Sequence, residues 1–149
     1  MIELPMAREK GAPLVSCDGC YAPCCRMVNV PIGSPTNMDD ASYILYLLYH
    51  GLCVSRTHDG SSWFLTVEAK CGQLTEKGNC GIHEVKPVIC KEAPVSECDR
   101  NLTQDQQDVL YFEPVAFLKW LHSRRPSLLE RLYDHNNVPY WMWRDARGD

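Results

Sequence analysis

The stretch Cys17-Asp18-Gly19-Cys20-Tyr21-Ala22-Pro23-Cys24-Cys25 places four thiols within nine residues. Two cysteines three apart, Cys17 and Cys20, can hold one metal ion through a tight turn whose backbone N–H groups face the sulfurs. Gly19 lets such a turn form at little steric cost. Cys24 and Cys25 are adjacent, and on an extended backbone neighbouring side chains point to opposite sides, so the two thiols would serve different metals or different roles. A second lobe follows at Cys71, Cys80 and Cys90, with Cys98 beyond. These are too widely spaced to chelate as one local bite, so the fold must bring the two lobes together on a shared centre.

Nine cysteines in 149 residues are an odd number, and a fully paired set would leave one thiol over. The first ten residues mix acids, bases and a proline where a secretory leader needs an apolar stretch. The expectation is a cytoplasmic, reducing compartment, in which clustered cysteines more often hold metal than form a disulfide framework. A nearly all-sulfur donor set selects zinc, an iron–sulfur cluster or Cu(I) over magnesium or calcium. A tetrahedral zinc with four thiolates carries a formal charge near −2, which Arg26, Lys86 and Lys91 could offset; the alternative is that these are ordinary solvated charges. Cys53 stands apart from both lobes and reads as a small buried hydrophobe.

The lobes are set in a chain with its own core. Hydrophobic residues make up 45% of it, enough for a packed interior. A net charge of −4 and a pI near 5.7 argue against a general nucleic-acid binder, and no run of apolar residues is long enough for a membrane span. Residues 11–36 read as an irregular lobe punctuated by Pro13, Gly19, Pro23, Pro31, Gly33 and Pro35. Residues 37–51 read as a helix, with Asn37 and two aspartates at its start, Ile44, Leu47 and Leu48 on one stripe, and Gly51 at its end. Runs of β-formers on either side of Asp59-Gly60 predict a hairpin over 54–68, since both turn residues tolerate positive φ. From about 104 onward the pattern is helical, with Pro114 and Pro126 each opening a helix. The aromatic segment Tyr140-Trp141-Met142-Trp143 should pack onto the core or onto a protein partner, and the stripe Phe117, Leu118, Trp120, Leu121, Leu128, Leu129 and Leu132 is most simply core. The expected architecture is α+β: a single small domain over 1–149, two Cys-rich loop lobes converging on a metal centre, a β-hairpin and several helices. Within it, 15–98 is the metal-binding region and 104–149 a C-terminal helical extension.

Across residues 15–98 these motifs resemble the CxxCxxCC (YkgJ-like) cysteine-cluster family of zinc- or iron-chelating proteins. That family joins a CxxC…CC run to a later Cys…Gly-x-Cys-x-Ile-Tyr…Arg-Pro-x-x-Cys-Arg-x-x-Pro run. Here Cys17, Cys20, Cys24 and Cys25 fit the first part; Cys71, Leu74, Gly78, Cys80, Ile82, Glu84, Pro87, Cys90 and Pro94 fit the second. Lys86 and Lys91 stand where arginine is usual, and lysine keeps the charge but loses the bidentate fork. His83 stands where tyrosine is usual; lying between two ligand candidates, it is itself a candidate to ligate or to line the site. The resemblance implies metal ligation at the matched cysteines, by Cys17, Cys20, Cys25, Cys71, Cys80 and Cys90 foremost. Cys24 extends the set, and Cys98 would complete eight.

The expected function is chelation of zinc or an iron–sulfur cluster such as [4Fe–4S], without catalysis. One alternative is a metal-dependent redox or methyl-transfer enzyme related to the flagellin lysine methylases, although nothing marks a pocket for S-adenosylmethionine. Another is a metal-stabilised interaction module that docks a protein partner through Trp141-Met142-Trp143. The sequence holds no Walker loop, no GxGxxG and no local cysteine-nucleophile signature. His50, His122 and His135 read as surface or packing residues.

Overall fold

In the computed structural model the described residues are 2–17, 23–93 and 95–149. The secondary structure is α+β. Strands β1 (Met27–Ile32), β2 (Cys53–Arg56), β3 (Trp63–Glu68) and β4 (Val109–Tyr111) lie in one sheet of order β1-β3-β2-β4. The helices are α1 (Met38–Tyr49), α2 (Val88–Glu92), α3 (Pro114–Arg124), α4 (Pro126–Asp134) and α5 (Tyr140–Arg147). None of the described helices is long and apolar enough to cross a membrane. The chain divides into two compact units, one of Met1–Asn29 and Val67–Gln107, the other of Val30–Thr66 and Asp108–Asp149.

The second unit carries the hydrophobic core. Helix α1 starts where Asn37 accepts the Asp40 N–H at 2.9 Å and returns its own Nδ2–H to the Asp40 carboxylate at 2.8 Å. It ends in a left-handed residue, Gly51 at φ +73°, with Gly51 N–H bonded to the Leu48 carbonyl and Leu52 N–H to that of Leu47. That pair of bonds is a Schellman closure, which satisfies the last carbonyls. Between the caps, Ala41, Ile44, Leu45, Leu47 and Leu48 are buried. They join Val54, Trp63, Phe117, Leu118, Leu121, Leu129 and Leu132 in one apolar cluster. Within it, Trp63 stacks on Tyr111 with centroids 5.8 Å apart and meets Phe117 and Trp120 edge-on. The Arg56 guanidinium lies over Tyr111 and Trp120 and donates to the Tyr111 hydroxyl at 3.0 Å.

Pro114 and Pro126 open helices as expected, because a first-turn N–H needs no intrahelical partner. Helix α5 packs against α3. Met142 and Ala146 are buried, while Trp143 stacks on Tyr133 at 4.5 Å and donates to Glu130. Met142 and Trp143 are thus committed to the chain's own core, whereas Tyr140 and Trp141 stay exposed.

Three local expectations need correction. Residues 109–111 form a strand, not a helix; they pair antiparallel with β2, placing Tyr111 opposite Val54. Three apolar β-formers cut off by Pro114 are too few for periodicity to separate the two states. Residues 27–32 form β1 inside the segment read as irregular, and the sheet tolerates Pro31 because β1 is an edge strand. The 54–68 hairpin forms, with Arg56 opposite Trp63, but its connection runs over 57–62. Only Gly60 takes positive φ, at +78°. Asp59 instead accepts from the Thr57 hydroxyl (2.8 Å), the Ser61 N–H (3.0 Å) and the Ser61 hydroxyl (2.8 Å). Those donors hold its carboxyl at about 2, below the ordinary 3.8.

A carboxyl depressed by folding stabilises the fold above its ordinary range and loses that contribution as pH falls towards the folded value. Stability measured by denaturant titration should therefore fall more steeply between about pH 5 and about pH 2 in the native chain than in Asp59→Asn; parallel curves would contradict this role. Burial in β2 raises the Cys53 thiol to about 11. Since the thiolate is the nucleophile, iodoacetamide at about pH 8 should leave Cys53 unmodified until denaturant is added. Peptide mass spectrometry showing Cys53 labelled as fast in the folded protein as in denaturant would refute that burial.

Candidate metal centre

The eight cysteines of the two lobes all belong to the first unit. Cys20 and its neighbours 18–22 lie outside the described residues, as does Pro94. Among the described cysteines of this unit, Cys17, Cys24, Cys71 and Cys90 are exposed, and Cys25, Cys80 and Cys98 half-buried.

Residues Pro23–Cys25 make a 3-10 turn. This corrects the expectation of an extended backbone at Cys24-Cys25. From this turn the backbone pairs directly with the second lobe. The Ala69 N–H donates to the Arg26 carbonyl at 2.9 Å, and the Cys71 N–H to the Cys25 carbonyl at 2.7 Å. Residues separated by most of the sheet in sequence are thereby set side by side.

Beyond Cys71 the chain folds into a small knuckle. The Gln73 N–H points at the Cys71 sulfur at 3.5 Å. Thr75 and Asn79 pair across a turn in which Gly78 takes φ +81°, and Leu74 forms a bridge with Cys80. Gly81 N–H donates to the Gln73 carbonyl at 2.7 Å, and a Cβ on Gly81 would lie 2.9 Å from that same oxygen. Only glycine lets the two backbones approach so closely, and this approach returns Cys80 towards Cys71. Cys90 sits in the single-turn helix α2, begun at Pro87, whose carbonyl accepts from the Cys90 N–H at 2.9 Å.

The electrostatics link these pieces. The Cys25 thiol is raised above its ordinary value, chiefly by burial and further by the like charges of Cys71, Cys80 and Cys90; the bond from Cys24 opposes the rise. Cys25 therefore feels thiols from two further segments, the 71–81 knuckle and α2. Among the described residues, no three His, Cys, Asp or Glu side chains are drawn close enough to close on an ion. The donors are soft sulfur throughout, which fits zinc or iron and not a hard cation such as magnesium.

Of the other candidates, Lys86 is half-buried, while Arg26 and Lys91 are exposed. His83 is exposed, with its Nδ1 at 3.7 Å from the Glu84 carboxylate. Cys98 precedes a 3-10 turn, Asp99–Asn101, in which the Asn101 N–H returns to the Cys98 carbonyl at 2.7 Å. Sequence reading missed three residues here. The Gln73 amide and Gly81 act through backbone, which leaves little trace in side-chain chemistry. Asn101 acts across 86 residues and leaves none.

The family model described as "Putative zinc- or iron-chelating domain" (CxxCxxCC) matches residues 16–111. Neither the curated proteins nor the solved structures gave a match. With well over half of the chain matched, and with the cysteine motifs at the positions just described, the protein belongs to the CxxCxxCC family of zinc- or iron-chelating domains.

Proposed function

We propose that the protein chelates zinc or an iron–sulfur cluster through thiolates, with Cys25, Cys71, Cys80 and Cys90 as the inner donors. Cys17, Cys20, Cys24 and Cys98 extend the set. The observation that carries this reading is how burial is divided. Among the described residues of the cysteine-bearing unit, Ile2 is the one buried apolar side chain; the apolar cluster is drawn wholly from the other unit. In α2, Ile89 is 80% exposed, so even the helix that carries Cys90 has no apolar seat.

Chains that cannot bury enough apolar surface need a metal, disulfides or a partner to hold one conformation. Here Cys17, Cys71, Cys80, Cys90 and Cys98 form no disulfide. A structural zinc contributes on the order of 10–16 kcal/mol in small peptides, ample for a unit of this kind. The bound ion supplies charge neutralisation and a fixed tetrahedral or cluster geometry; the chain supplies soft donors and the knuckle that aims them. A cytoplasmic location is part of the proposal, since reducing conditions keep such thiols available.

Purification under argon followed by metal and acid-labile sulfide analysis is the decisive test. Zinc without sulfide, or iron with sulfide and a brown absorption band, is expected; metal-free protein that melts at the temperature of loaded protein would end the proposal. Cys71→Ser and Cys90→Ser should each lower the metal content, whereas Cys53→Ala should leave it unchanged while reducing thermal stability. Equal metal loss in all three would assign the cysteines no distinct roles. Stripping with a strong chelator should free the amides of Ala69, Cys71, Thr75 and Gly81 to exchange, with those of α1 and α3 still protected. Hydrogen-exchange mass spectrometry showing no change at the first four amides would contradict metal as the source of order.

A further inference from the structure

Among the few buried polar side chains, Asn101 is 1% exposed, and both ends of its carboxamide bond one distant residue. Its Oδ1 accepts the Val15 N–H at 2.7 Å, and its Nδ2 donates to the Val15 carbonyl at 2.9 Å. A primary amide bonded to both backbone groups of one residue acts as a single rung of β-ladder, fixing that segment in position and in direction. The backbone of Asn101 is held as well: its N–H donates to the Cys98 carbonyl at 2.7 Å, and its own carbonyl accepts from Arg8 Nε at 2.9 Å.

Cys17 lies two residues beyond Val15, and Cys98 lies three residues before Asn101, across the turn that the Asn101 N–H closes. The rest of the N-terminal strap runs along the same stretch. The Arg8 N–H bonds to the Leu102 carbonyl at 2.8 Å, and Gln107 Nε2 donates to the Pro5 carbonyl at 2.8 Å. In a unit with almost no buried apolar surface, these polar contacts are what set the register between residues 5–17 and 98–107. Cys25 and Cys71 are registered by a separate device, the backbone pairing described above. Two independent fastenings thus serve two subsets of thiols.

We infer that Asn101 is a positioning residue of the metal centre: its amide clips residue 15 to the turn after Cys98, so that Cys17 and Cys98 enter the donor set as a pair. The inference rests on the chelation reading and adds to it a residue that is not itself a ligand. It also gives Cys98, which the family motif does not anchor, a structural reason to ligate.

The test is alkylation of metal-loaded protein with iodoacetamide, read cysteine by cysteine by mass spectrometry, together with metal per chain. In the native protein Cys17 and Cys98 should be protected with the rest. In Asn101→Ala both should become reactive, with Cys71 and Cys80 still protected and the metal content reduced or its Co(II)-substituted charge-transfer absorption weakened. Thr103→Ala is the control for simple destabilisation. Its buried hydroxyl bonds Asp105 at 2.7 Å and Gln106 at 2.9 Å in the same stretch, and its loss should leave Cys17 and Cys98 protected.

Continued protection of both thiols in Asn101→Ala overturns the inference, as does equal exposure in Thr103→Ala. Should Asn101→Ala fail to fold, Cys17→Ser and Cys98→Ser decide the matter. Each should expose the other cysteine of the pair, and Cys98 still protected in Cys17→Ser overturns the pairing. Native protein without metal removes the chelation reading itself, and this inference with it. Loaded native protein with an unaltered Asn101→Ala variant removes the inference alone.

Discussion

The 2.7 Å hydrogen bond from the Cys71 amide to the Cys25 carbonyl joins two stretches of chain that have no apolar reason to meet. One such bond contributes only about 0.5–1.5 kcal/mol net, so it cannot hold a unit together unaided. What it does is geometric. It places the Cys24-Cys25 turn against the start of the 71–81 knuckle, and the knuckle's close Gly81–Gln73 approach sends Cys80 back to the same neighbourhood. Sulfur chemistry follows from backbone register, because a thiol can reach an ion only from where its main chain is held.

The two units solve the stability problem by different physics. In one, Trp63, Phe117, Ile44, Leu129 and their neighbours are removed from water, and the helices are closed by Asn37 at one end and Gly51 at another. Each buried side chain of that size contributes about 1.5–3 kcal/mol. In the other, polar clips, tight turns and thiols stand where a core would be. The apolar cluster draws no residue from the cysteine-bearing unit.

Much of the hydrophobic unit was legible from sequence because its signals are local. Asn37 and Gly51 mark helix ends by chemistry that acts within one turn, and Pro114 and Pro126 mark helix starts by a missing N–H. The cysteine motif was legible for a different reason: soft donors at short spacing have few other uses. What escaped was everything set by distant partners. Strand β4 is three residues long and exists because β2 offers it an edge. Asp59 tolerates positive φ, but Gly60 alone takes it, while the Asp59 carboxylate finds three donors in the longer connection. Cys24 and Cys25 turned in a 3-10 bend because Pro23 and the pairing at Arg26 constrain both sides. Asn101 carries no signature at all, since an asparagine in a loop usually serves its own turn.

Both units are discontinuous in the chain, and synthesis must therefore interleave them. The thiols before residue 26 leave the ribosome well before their counterparts after residue 70, and the whole of α1 and the β2–β3 hairpin emerges in between. During that interval the early cysteines have neither their backbone partners nor a complete donor set. Oxidation or capture by a stray soft ion is a kinetic hazard of that interval. The N-terminal strap, for its part, has no track to lie on until residue 107 has been made.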